Sequence, residues 1–121
     1  MNATRTVERL RVTGGDRQTV SHAGTHLLGE LADRLGLTAG YSAAVPRSGE
    51  RAFGHDRGRL LGQVAVMLAA GGRCVADMAA LRDQPDVFGE VASPATIWRT
   101  FDAIDHTVLD ALRAARATAR A

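Results

Sequence analysis

Apolar residues recur every three or four positions through most of the chain after residue 22, and every second position only before it. Leu27, Leu31 and Leu35 lie four apart with Leu28 and Ala32 beside them. That spacing predicts a helix from about Ala23 to Leu35 with this face inward and Glu30 and Arg34 outward. Gly36 closes it as a left-handed cap. Thr38 then caps a short helix over Ala39 to Ala44, stopped by Pro46. Asp56 opens the central helix, where an acid suits the positive end of the helix dipole. Its stripe is Leu60, Leu61, Val64, Met67 and Leu68, and Ala65, Val66, Ala69 and Ala70 leave little polar surface elsewhere. A helix apolar nearly all round is a buried one, so Leu68→Ala is expected to cost about 2–5 kcal/mol.

Gly71-Gly72 breaks that helix. A second one follows from about Cys74 to Arg82, with Val75, Met78, Ala79 and Leu81 inward and Asp77 and Asp83 outside. Gln84-Pro85 stops it, and the next turn drops Val87 and Phe88 into the core before Gly89. Ser93-Pro94 is the strongest helix start in the chain, with a hydroxyl at the N-cap and proline where its missing N–H costs nothing. Ile97, Phe101 and Ile104 mark the inner face with Trp98 flanking, while Thr96, Arg99, Thr100 and Ala103 face elsewhere. A last helix from Asp105 or His106 carries Val108, Leu109 and Leu112, then fades into RAARATARA. Before all of these, residues 7–21 alternate around Gly14-Gly15-Asp16, which suits a hairpin that must dock on something or fray. The pattern therefore predicts a mainly α fold: an orthogonal bundle of five or six helices around a buried central helix. The N-terminal hairpin or flexible arm occupies 1–22, the helical domain 23–112 and a fraying helical tail 113–121.

Composition narrows the picture only a little. A chain of 121 residues supports one core. Aromatic residues are 4% of it, so Ala, Leu and Val supply the apolar volume and packed helices are favoured over a sheet sandwich. All fifteen basic residues are arginine, whose planar fork matches phosphate, yet the net charge of +2 is too small to argue nucleic-acid binding by itself. Cys74 is the only cysteine, which leaves no partner for an internal disulfide. The first residues lack an apolar signal region and no run is long enough to span a membrane, so a cytoplasmic protein is expected.

Candidate chemistry is sparse. His22 and His26 stand at i,i+4, but no H-E-x-x-H and no paired cysteines accompany them, so no metal site is assigned. His26 reads as a surface side chain and Cys74 as a small buried thiol. Gly71-Gly72 lacks the strand, lysine and hydroxyl residue of a phosphate loop. Asp102, Asp105 and Asp110 cluster in sequence, but Asp105 doubles as a helix cap. Binding remains. A helix whose first turns carry Ser93, Thr96 and Arg99 can enter a groove with its N-terminus on phosphate, and Arg47, Arg51, Arg57 and Arg59 form a basic run before the central helix. The turn from Arg82 to Ser93 is too long for a strict helix-turn-helix.

Several of these residues carry a resemblance. Gly54-His55-Asp56, Met67-Leu68, Gly71-Gly72, Asp77, Leu81 to Pro85, Phe88-Gly89, Val91 to Ser93, Thr96 and Arg99 closely resemble the N-terminal region of bacterial insertion-sequence transposases of the DDE class, the IS-thirteen-eighty group in particular. Upstream, Ser21-His22-Ala23-Gly24 and ELADRLGLTAG look similar as well, and the likeness spans roughly Leu10 to Arg116. This chain has Arg57 where the family commonly has proline, and Ala70 where it commonly has an acid. The resemblance implies a helical segment ahead of an RNase-H-like domain whose Asp, Asp and Glu hold two divalent metals. The first of those acids lies in a strand beyond Ala121. It follows as an expectation that this chain is not an enzyme on its own, holds no cofactor and is truncated before the catalytic domain. The residues implied for DNA at the transposon ends are Arg47, Arg51, Arg57, Arg59, Ser93, Thr96 and Arg99. A homodimer or a complex with full-length transposase is the other implied partner. The alternatives are a structural or dimerisation module using Val108, Leu109 and Leu112 or a face of the hairpin, and a degenerate fragment without activity.

Overall fold

A computed structural model of the protein describes residues 23–45 and 55–121. The expected hairpin over 7–21, and Arg47 and Arg51, lie outside those residues. The described residues form α1 (Ala23–Arg34), α2 (Leu37–Ala44), α3 (Arg57–Ala69), a 3-10 turn at Val75–Met78, α4 (Ala79–Arg82), α5 (Pro85–Phe88), α6 (Pro94–Asp102) and α7 (His106–Arg120), with no strand among them. The fold is mainly α, and α3 is its hub. On one side it meets α1 and α2, with α7 against α2; on the other it meets the 3-10 turn and α4.

The core lies on the second side. Leu60, Val66 and Met67 of α3 pack with Met78, Leu81, Phe88, Val91, Ala92 and Ile97, and Leu61, Val64 and Phe101 flank them. The first side is held by small residues that let backbones approach. A Cβ on Gly58 of α3 would sit 2.1 Å from the Ser42 amide nitrogen of α2, and one on Gly40 of α2 would sit 2.9 Å from the Ala115 Cβ of α7. The α3 entrance is capped by Asp56, whose Oδ1 accepts the Arg59 N–H at 2.8 Å and also the Ser42 hydroxyl. One carboxylate thus starts α3 and ties it to α2.

Several expectations are met. Gly36 is left-handed at φ 74° between α1 and α2, and Gly71 at φ 96° turns the chain after α3. Asp105 caps α7 by accepting the Val108 N–H at 2.8 Å. Phe88 is buried on its single helical turn. Thr38 is corrected from a cap to an interior residue of α2, which starts from the left-handed Gly36; the Thr38 carbonyl accepts the Ser42 hydroxyl.

The continuous helix expected over Cys74 to Arg82 is instead a 3-10 turn followed by one α turn. The Asp77 carboxylate captures the Arg73 and Cys74 N–H groups at 2.6 and 3.0 Å, tightening the first turn. Cys74 is exposed rather than buried; the space beside the neighbouring Gly72 is filled by Met67, whose sulfur would lie 2.1 Å from a Cβ there. Thr100, expected to face away from the inner side of its helix, is buried at 2% exposure; its hydroxyl donates to the Thr96 carbonyl at 2.9 Å, so burial leaves no unmet donor.

Two further corrections concern leucine. Leu68 is 54% exposed, since α3 is covered on two sides and not all round. In α1 the leucine face is outside: Leu27, Leu28, Leu31 and Leu35 are all exposed, and His26 turns inward at 8% exposure, edge-on to Phe88 at 6.1 Å. Glu30 accompanies it, 3.4 Å from the imidazole Nε2. Helix α7 runs unbroken to Arg120, beyond the point where its apolar pattern fades, and Ala115 on Gly40 shows how alanine serves there as the packing residue.

These placements fix the energetics to be measured. In urea unfolding, Leu81→Ala, at 1% exposure, is expected to lose about 2–5 kcal/mol, whereas Leu68→Ala stays within about 0.5 kcal/mol of the parent. The carboxyl of Asp77 is held below its ordinary value of 3.8 by the N–H of Arg73 first, then by the N–H and thiol of Cys74. A depressed folded-state value means its contribution is full above the unfolded value and is lost as pH falls through the folded one. An NMR titration should therefore place the Asp77 midpoint below 3.8, and Asp77→Asn should flatten the acid limb of stability in that range.

Candidate nucleic-acid interface

The candidate residues fall at two helix entrances. Arg57 and Arg59 occupy the first turn of α3, Arg57 partly buried and Arg59 exposed. Ser93, Thr96 and Arg99 belong to α6: the exposed Ser93 hydroxyl accepts the Thr96 N–H at 3.4 Å and lies 3.1 Å from the Thr96 hydroxyl. Arg99 donates from Nη2 to Thr96 Oγ1 at 3.2 Å and from Nε to the Ala95 carbonyl at 3.3 Å. A guanidinium has five N–H groups, so three of Arg99's remain for an outside acceptor, presented from a side chain already fixed in direction.

The strap from Phe88 to Ala92 runs from α3 to the start of α6. Gln63 of α3 donates from Nε2 to the Phe88 and Glu90 carbonyls at 3.4 and 3.0 Å, and Arg82 of α4 donates to the Ala92 carbonyl at 3.0 Å. His55 stands 3.9 Å from the Glu90 carboxylate. Arg59 reaches the same strap, its Nη2 being 3.5 Å from where a Cβ on Gly89 would lie. Only four residues separate Gly89 from Ser93, at most about 14 Å of chain. Arg59 and the start of α6 therefore lie towards the two ends of one short strap. Gln63 and Arg82 carry no recognisable motif. The one signal was Gln63 itself, a lone amide among the apolar residues of α3.

The electrostatics are mixed. Glu90 lies between the two entrances with its side chain 88% exposed. Among the described residues nine arginines face ten carboxylates; the positive excess of the chain belongs to 1–22 and 46–54, where six arginines meet three carboxylates. The run containing Arg47 and Arg51 adjoins α3 in sequence. Asp102, Asp105 and Asp110 do not act together: Asp105 is the α7 cap and Asp110 pairs with Arg113 at 3.1 Å. Among the described residues no three His, Cys, Asp or Glu side chains are placed to hold one metal ion, and no helix is long and apolar enough to cross a membrane.

The chain belongs to the family described as transposase DDE domain group 1, whose model matches residues 3–120. Membership places it among proteins of DNA transposition. No curated protein and no solved structure matches the chain.

The strap gives a direct prediction. Gln63→Ala removes both of its hydrogen bonds to the strap while leaving the core side chains in place, so amide exchange at 89–92 should accelerate by roughly thirtyfold, in line with about 1 kcal/mol for each of the two lost bonds. Exchange in α7 should not change.

Proposed function

We propose that this chain is the non-catalytic, DNA-binding and assembly portion of an insertion-sequence transposase of the IS-thirteen-eighty group, and that it engages the transposon ends. The observation that carries this reading is the family match over nearly the whole chain. The two adjoining helix entrances supply the place. Arg47, Arg51, Arg57 and Arg59 take the phosphate backbone on approach to α3; Ser93, Thr96 and Arg99 take it at α6, where aligned N–H groups and the helix dipole favour an anion. Arginine suits this work because its fork grips phosphate in two places. The exposed Glu90 repels phosphate, so the duplex crosses at the two entrances on either side of it and not along the strap. Cutting and joining belong to the metal-binding acids of the family's RNase-H-like domain, and the chain itself takes no cofactor.

Contacts from about four to six arginines give a log-log salt slope of roughly −4 to −5 in a titration with labelled transposon-end duplex. Arg99→Ala should reduce that slope by about 1 while leaving thermal stability intact. Absence of binding at 50 mM salt, or a slope near zero, overturns the DNA reading.

A further inference from the structure

Trp98 is the chain's only tryptophan and is 56% exposed, although Ile97 beside it is fully buried and Phe101, three residues on, packs against the core. Its indole meets the Phe101 ring edge to face, with centroids 5.8 Å apart and planes at 88°. Such a contact uses at most one face of the indole and fixes its direction, so the other face is held open to solvent. Arg99 stands beside it, equally directed. Its Nε donates to the Ala95 carbonyl at 3.3 Å and its Nη2 to Thr96 Oγ1 at 3.2 Å, which draws the guanidinium back over the first turn of α6. Trp98 and Arg99 follow Ala95 by three and four residues, so the helix sets them side by side on its outer face, with the small, exposed Ala95 one turn before them.

We propose that Trp98 and Arg99 hold one unpaired nucleotide of the bound DNA, its base stacked on the open face of the indole and its phosphate on the guanidinium. The proposal deepens the DNA reading above and rests on it: that reading gives α6 the phosphate backbone, and this one adds a base. The chemistry selects an unpaired base. In a duplex each base is stacked on both faces and offers only its edges, whereas an indole face takes a base that has left the stack. Every base has such a face, so the pair reads strand state and not sequence. The charges favour the same placement. Asp102, exposed and four residues after Trp98, repels a phosphate at the C-terminal end of the pair; the phosphate falls instead on Arg99 and the first turn of α6, where the helix dipole is positive.

Because the chain has one tryptophan, its fluorescence reports on this site alone. A single-stranded oligothymidylate of about ten nucleotides, added to the full chain at low salt, should quench the indole saturably. Inorganic polyphosphate, an anion without bases, should leave it nearly unchanged. Trp98→Ala should weaken oligothymidylate binding, read from the anisotropy of a labelled strand, by roughly 5- to 150-fold, the equivalent of about 1–3 kcal/mol for one stacked base. Trp98→Tyr should restore most of that affinity, with the circular dichroism of both variants matching the parent, and neither should change affinity for a fully paired duplex. An indole that oligothymidylate leaves unquenched, the behaviour of a surface kept for an apolar protein segment, overturns the proposal. Equal quenching by polyphosphate, or full oligothymidylate affinity in Trp98→Ala, does so too. Duplex binding with the expected salt slope beside an unquenched indole defeats this inference and spares the DNA reading; quenching by oligothymidylate without duplex binding does the reverse.

Discussion

Everything in this fold depends on how closely α3 is allowed to approach its neighbours. At Gly58 the α3 backbone lies against the Ser42 amide, and any side chain there would force the helices apart. The same few atoms include Asp56, which caps α3 and accepts from Ser42. The contact therefore sets where α3 begins and how it sits on α2. From that starting point α3 delivers Leu60, Val66 and Met67 to the core and Gln63 to the strap. Small residues repeat the device at Gly40 and Ala115, so α7 joins through close backbone approach and not through large apolar side chains.

Function inherits this geometry. Arg59 points from the first turn of the helix whose start Gly58 and Asp56 define, and the strap that Gln63 fastens leads within four residues to Ser93. A shift of α3 would move one entrance relative to the other. The candidate interface is thus a property of helix packing as much as of side-chain identity, and its basic complement is finished by Arg47 and Arg51 in the preceding run.

Much of this was legible in the sequence where a local rule decides the outcome. Asp56, Ser93 and Asp105 act as caps because a short acceptor before an apolar-periodic run satisfies free N–H groups whatever the tertiary setting. Gly36 and Gly71 mark turns because the backbone there has positive φ. Periodicity fared worse, since it finds an apolar face without saying what covers it. It puts the α1 leucines and Leu68 inside, and both are exposed, and it misses the burial of Thr100; residue type misleads likewise at His26, which is buried, and at Cys74, which is exposed. Val108, which the dimerisation alternative leaves exposed, is buried at 6% exposure. Of the candidate site, the helix entrances were readable from caps and arginines. The strap that joins them was not, because carbonyl acceptors at Phe88, Glu90 and Ala92 leave no trace in residue type.

We propose that the α3 and α6 entrances form one surface for transposon-end DNA. Mapping backbone amide shifts by NMR during titration with a transposon-end duplex tests it most directly. Coincident shifts are expected at Arg57, Arg59, Ser93, Thr96 and Arg99, saturating together and reversed by salt. Shifts confined to Arg113, Arg116 and Arg120 of α7, with both entrances silent, would contradict it.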